Sequence, residues 1–450
     1  MLRFPNPPLD VCQYARRGSS PVRWQRDFSR GAMIPADTAE AQILDLVVPL
    51  DSRRDAETVP VLEAAGRVLS ESVVSPIDFP HWDNSAMDGY AVRYDDISMA
   101  SGKTPVELSV VEEIPAGQSP QQIVESGQAA RIFTGAMMPS GADTVVMQEE
   151  TQRQGDRVQI LTASSPRAFV RERGSYQRAG ERLLSVGSVV TPTEIAILAA
   201  VQRTQVQVYR QPRVAILSTG NELVLPEQPL QPGQIVDSNQ YALAALVQQM
   251  GAVPLCQGIV ADEPAALKQA ISKAIAEADM VLSSGGVSVG DYDYVEQILS
   301  DLGATLHIRS VAVKPGKPLT VATTSGPSAP RLYFGLPGNP VSALVSFWRF
   351  VAPALRKLSG RSDNWSASFL QARSRQTLKA GGKRETYLWG QLHNTASGLE
   401  FSLAPGSHSS GNLINMAGTQ GLAVVPIGVT EIAAGSTVRV LWVNLDGQST

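Results

Sequence analysis

Between residues 212 and 360 the chain alternates short apolar runs with amphipathic stretches, and this restricts the fold more than any other feature. The runs "RVAIL", "VPLCQGIV", "MVLSS" and "RLYFGL" read as buried strands. Between them, "SNQYALAALVQQMGA" is expected to be a helix with Ser238 or Asn239 as cap and Gly251 near its end. "DEPAALKQAISKAIAEA" follows, with Asp262 at the cap and Pro264 in the first turn, where a missing N–H costs little. "YDYVEQILSDLG" and the long "PVSALVSFWRFVAPALRKLSG" complete the set. Strands joined by helices pair in parallel and carry helices on both faces. Such sheets bind ligands at the carboxyl ends of their strands. Residues 209–361 are therefore expected to form a doubly wound α/β domain that carries the chemistry.

A chain of 450 residues is too long for one core, and its flanks have a different character. "TAEAQILDLVVPL" at 38–50 fits a helix opened by a Thr or Asp cap, and "PVLEAAGRVLS" at 60–70 a second. Short Val and Ile runs broken by Gly and Pro fill 73–190, a β-rich pattern, before "TEIAILAAVQ" at 193–202 returns to helix. Residues 362–450 read as short strands and turns. The expected division is a linking domain made of 37–82 with 180–208, a β-rich domain at 83–179, the α/β domain, and a C-terminal β domain at 362–450.

Residues 1–36 form an extension with six arginines in its first 32 positions, balanced only by Asp10 and Asp27. It lacks the apolar centre of a secretory signal. A disordered extension, or Met33 as the true start, is the expectation; a transit peptide is the other reading of that composition. Cys12 and Cys256 are the only cysteines, which argues against a disulfide framework or a zinc site. No apolar run reaches the roughly 20 residues of a membrane helix. The net charge of −4 gives no reason to expect a nucleic-acid partner. The expected location is a reducing cytoplasm, with no membrane and no nucleic acid involved.

The loops after the strands mix two chemistries. "STGNEL" (218–223), "SSGGVSVGDYDY" (283–294) and "GLPGNPVSA" (335–343) offer backbone amides and hydroxyls, as an anion cradle does. Gly285 and Gly286 leave their N–H groups free to face an anion, and Thr219, Ser283, Ser284 and Ser288 add hydroxyls. "KPGKP" adds Lys314 and Lys317 on a segment stiffened by Pro315 and Pro318. Yet Glu222, Asp262, Asp291 and Asp293 fall in the same loops. Capping explains Asp262 by itself, and Asp293 also sits where a cap belongs. For the set, a magnesium ion between carboxylates and phosphate removes the conflict.

These motifs, in this order and together with "DNSAMDGYAVR" at 83–93, resemble the MoeA family of molybdopterin molybdenumtransferases, which includes the gephyrin E domain. The resemblance covers roughly residues 38–450. It implies an α/β domain like that of the molybdopterin adenylyltransferases, and insertion of molybdate into adenylated molybdopterin with loss of AMP. It also implies Mg2+ or a similar divalent cation, and a homodimer in which the β-rich domain of one subunit completes the other's cleft. An adenylyltransferase would supply the substrate.

Carried over by motif, the catalytic acids are Asp88, Glu222, Asp262 and Asp293, the last three also holding metal. The substrate-binding set is Thr134, Thr219, Gly220, Ser284, Gly285, Gly286, Ser288, Pro337, Gly338, Asn339 and Pro340. Lys314, Lys317, Ser342, Arg384 and Ser407 are the implied molybdate residues. For Asp88 a tight Asp-Gly turn, and for Thr134 a turn hydroxyl, are the purely structural readings.

At three places the chain departs from the family pattern. Ser175 and Tyr176 replace acids, Ser310 replaces a lysine beside Arg309, and Trp389 replaces a basic residue. Two other functions fit parts of the pattern. A molybdopterin adenylyltransferase needs only the sheet domain, so the length argues against it. A catalytically weak paralogue would act as a dimeric molybdopterin-binding scaffold.

Overall fold

A computed structural model describes residues 33–285, 294–326 and 329–443. The Arg-rich start, Gly286, Ser288, Asp291 and Asp293 lie outside the described residues.

The central sheet has six strands in the order Val253–Val260, Arg213–Thr219, Met280–Ser284, Arg331–Leu336, Pro318–Thr324, Thr305–Ser310. The first four run parallel, as their continuous apolar runs require. The last two are antiparallel additions, so the sheet is mixed rather than wholly parallel. Helices cover both faces. Leu243 and Val247 of Asn239–Gln249 pack with Val214, Ile216 and Leu282 on one face. Leu267 and Ile271 of Pro264–Glu277 join Val295 and Ile298 of Tyr294–Asp301 against Ala215, Leu217 and Val281 on the other. Alternate residues of one strand thus feed two separate cores.

The long helix expected from residue 340 runs as Pro340–Ser346, a π-turn at Phe347–Val351, and Ala352–Leu358. Other expectations need correction. The first helix is Ala36–Leu46, entered through Pro35 with no side-chain cap bond, so neither Thr38 nor Asp37 caps it. The stretch 60–70 forms only a single 3₁₀ turn, Val61–Glu63, because Gly66 takes a left-handed φ of 75° and ends helical winding. Val61 and Ala64 instead pack with the antiparallel pair Ala56–Pro60 and Gln205–Tyr209, alongside helix Pro192–Ala200. That helix opens on a capping box between Thr191 and Glu194.

Residues 89–160 build a second six-stranded sheet, from Thr144–Met147 at one edge to Thr151–Gln154 at the other. In the C-terminal region, Glu385–Thr395 pairs with both Gly398–Leu403 and Gly421–Val425, which closes five strands into a ring.

Candidate active site

Strand register brings the chemical loops to one level. Ser218 lies opposite Ser284, Ser284 opposite Leu336, and Thr219 opposite Val260. The loops that follow all open on the carboxyl edge of the sheet. They enclose a cleft of about 660 Å³ lined by Thr219, Gly220, Glu222, Asp262, Ser284, Gly285, Gly338, Asn339 and Pro340, with Asp237 and Asn239 also on its wall.

Local bonds hold this cleft in shape. The Asn239 side-chain amide donates to Ser284 Oγ at 2.6 Å and to the Gly338 carbonyl at 2.8 Å. Ser238 holds the cap position of that helix but makes no side-chain cap bond. Asn239 is therefore a staple between two loops and not a cap. Gly285 has φ of 90°, and a Cβ there would stand 2.3 Å from the Thr219 carbonyl oxygen, so only glycine fits. Its amide, expected to be free for an anion, instead donates to the Leu336 carbonyl at 3.3 Å. Among the described residues, Thr219 Oγ1 is buried and has no hydrogen-bond partner.

Asp262 does not cap its helix. Glu263 occupies that place and Pro264 begins the helix. The Asp262 backbone amide donates to Asn221 Oδ1 of the neighbouring loop at 3.2 Å, and the carboxylate is left on the cleft wall. Burial pushes the Asp262 carboxyl above its ordinary range, and the charge of Glu222 pushes it further. Among the described residues no three His, Cys, Asp or Glu side chains gather as a metal cluster.

A second cleft, of about 530 Å³, adjoins the first and shares Asn339 with it. It is lined by Lys314, Lys317, Ser342, Arg384 and Ser407, all expected from the sequence, and also by Lys379, Tyr387 and His408. The strand Val313–Lys314 pairs with Glu385 and Thr386, and Arg384 Nη1 donates to the Val313 carbonyl at 3.2 Å. Lys314 and Arg384 are thus fixed relative to each other. Asn412 and Asn415 both donate to the Ser407 carbonyl, at 3.0 and 2.9 Å. Pro337 lines neither cleft. Lys379 was missed because a lone lysine in a β-rich segment carries no motif; the pairing of Leu378–Lys379 with Glu431–Ile432 sets its place.

Asp88 and Thr134 line neither cleft of this chain. They bond to each other: the Thr134 amide and hydroxyl donate to Asp88 Oδ1 at 2.7 and 2.8 Å, which holds the Asp88 carboxyl below its usual range. At the departures, Arg309 pairs with Glu296 at 2.9 Å and does not line the cationic cleft, so it does not stand in for the lysine lost at Ser310. Trp389 is fully buried and packs on His408 with ring centres 4.2 Å apart and the rings tilted by 47°. Tyr176 is 63% exposed beside Phe79.

Comparison with known proteins agrees with this geometry. Residues 34–201 match the "MoeA N-terminal region (domain I and II)", 215–357 the "Probable molybdopterin binding domain", and 371–443 the "MoeA C-terminal region (domain IV)". The chain is 60% identical to a molybdopterin molybdenumtransferase from Nostoc over 90% of its length and 92% of that protein's. It is 36% identical to molybdopterin molybdenumtransferase 2 of Mycobacterium tuberculosis, over 85% of this chain and 94% of that one. The crystal structure of a molybdopterin biosynthesis MoeA protein from Pyrococcus horikoshii OT3 superposes with a TM-score of 0.78 at 29% identity, covering 92% of this chain and all of that one. The chain therefore belongs to the MoeA family, a family of transferases in molybdenum cofactor biosynthesis.

Proposed function

We propose that the protein inserts molybdate into adenylated molybdopterin and releases AMP. The observation that carries this reading is the pair of clefts sharing Asn339, one carboxylate-bearing and glycine-rich, the other lined by four cationic side chains. A tetrahedral dianion suits Lys314, Lys317, Lys379 and Arg384, with Ser342 and Ser407 as hydroxyl partners. A phosphate link suits the neighbouring hydroxyls of Thr219 and Ser284. Shared walls bring the two reacting groups together, which supplies proximity without further contacts.

A hard divalent cation fits the first cleft. Glu222 raises the Asp262 carboxyl, so the two acids repel each other where a positive charge would bind both. Glu222 and Asp262, with Asp293, would hold Mg2+, which when bound supplies Lewis-acid stabilisation of the departing phosphate. Asp88 and Thr134 are assigned to the cleft of a second copy, in a homodimer. A molybdopterin adenylyltransferase is the class of enzyme that must supply the substrate, and the cytoplasm is the compartment this reading requires.

The test is direct. Purified protein is incubated with adenylated molybdopterin, Mg2+ and molybdate, and AMP is followed. AMP release that needs molybdate is expected; AMP absent under those conditions overturns the reading and favours a binding scaffold. The homodimer has its own check. Asp88→Ala and Glu222→Gln chains, each inactive alone, are expected to recover about a quarter of wild-type activity when refolded together, because one mixed site in two is intact. Mixtures as inactive as the parents would place Asp88 outside the shared cleft.

A further inference from the structure

Arg349 is wholly buried, at 0% exposure, within the π-turn Phe347–Val351 of the long helix. A guanidinium removed from water persists only where its neighbours compensate the charge. Here the neighbours come from two distant segments. Arg349 pairs with Glu40 and Asp37 of the first helix, and its Nε donates to the Tyr387 hydroxyl at 2.9 Å. The Tyr387 hydroxyl in turn donates to the Glu385 carboxylate two residues back on the same strand face. Tyr387 is itself fully buried and forms part of the cationic cleft's wall.

Glu385 therefore stands at a sensitive place. Arg384 and Thr386 on either side of it line the cationic cleft, and Val313, next to Lys314, is its strand partner. A carboxylate free to turn toward Lys314 or Arg384 would compete with any incoming anion. The phenol holds it, and the guanidinium holds the phenol. π-turns concentrate at functional positions, and this one falls on the residue that begins the chain.

We propose that Arg349 is a positioning residue for the oxyanion cleft: through Tyr387 it engages Glu385, so that Lys314, Lys317 and Arg384 face the anion without a competing carboxylate. This rests on reading that cleft as the molybdate site. The role differs from a plain structural clamp in what it controls, which is anion affinity rather than folding alone.

The experiment is calorimetric titration of the full chain with sodium molybdate, and separately with sodium tungstate, alongside thermal melting. Tyr387→Phe keeps the ring and removes the link. It is expected to weaken molybdate binding about tenfold. Adding Glu385→Gln in the same chain is expected to restore affinity to within about twofold, because the competing charge is gone; a packing defect would not be rescued this way. Arg349→Lys keeps the charge but loses the Nε bond to Tyr387, and is expected to weaken binding likewise. Folded Tyr387→Phe or Arg349→Lys protein with wild-type affinity, or no rescue by Glu385→Gln, overturns the positioning role alone. Wild-type protein that binds neither anion overturns the molybdate reading, and this inference with it.

Discussion

Asp262 is the residue at which two readings of one side chain separate. The sequence allowed a helix cap or a metal-holding acid; in the structure Glu263 takes the cap position and Asp262 faces the cleft. A carboxyl whose folded pKa is raised is less comfortable charged than in the unfolded chain. Stability therefore falls as pH rises from the ordinary carboxylate range through the raised value, and the full cost is present at neutral pH. Asp262→Asn is expected to raise the melting temperature at pH 7 while lowering AMP release by about 100-fold or more, the least expected from losing a direct ligand. A fall in both quantities would mark Asp262 as structural. In wild type, added Mg2+ should raise the melting temperature, and the same addition should do little for the Asn variant.

At the scale of elements, the alternating segment of the sequence was legible because parallel strands buried on both faces must be apolar throughout. The strands Thr305–Ser310 and Pro318–Thr324 escaped notice because "TLHIRS" and "PLTVATT" mix polar residues into short runs, and a strand at or near a sheet edge permits this. The helix expected at 60–70 failed for the opposite reason. Its apolar spacing was adequate, but Gly66 takes a left-handed conformation that stops the winding, and the pairing of Ala56–Pro60 with Gln205–Tyr209 fixes the segment that leads into it. Most proposed cleft residues sat in recognisable loops. Asn239 did not, because it reads as a helix cap and its role as a staple depends on Gly338, 99 positions away. Aspartate at that position would preserve a capping role and favour the helix start, but it cannot donate. Asn239→Asp is therefore expected to lower melting temperature and AMP release more than Asn239→Ala, whose own cost is about 1–3 kcal/mol. The reverse order would restore the capping reading.

At the scale of the molecule, the linking segment is fastened to the sheet domain by charge. Asp279 is almost fully buried; burial pushes its carboxyl up, but Arg210, at 2.7 and 3.0 Å, and the Arg213 amide, at 2.9 Å, more than reverse this. Arg331 adds a contact at 3.2 Å, and Arg210 reaches across to Asp55 at 3.0 Å. Because the net pKa is depressed, this stability is present above the ordinary carboxylate range and is lost as pH falls through the lower, folded value. Asp279→Asn leaves Arg331 without its charge partner and Arg210 with Asp55 alone, and is expected to cost about 3–5 kcal/mol. The melting-temperature gap between variant and wild type should be wide at pH 7 and should narrow on acidification below pH ~4. An unchanged gap would mean the joint is held by packing instead.

The C-terminal ring provides a place for a reporter group. Its strand Glu385–Thr395 begins beside Arg384 at the cationic cleft and ends in a two-residue hairpin that joins Thr395 to Gly398. At about 3.3 Å per residue, that turn lies roughly 30 Å along the strand from Tyr387 on the cleft wall. Ala396 and Ser397 are exposed at its tip. A fluorophore or affinity tag inserted between them would be carried by a hairpin whose base, Thr386–Gly390, is built into the ring, so it could follow assembly or anchor the protein to a surface while leaving both clefts open.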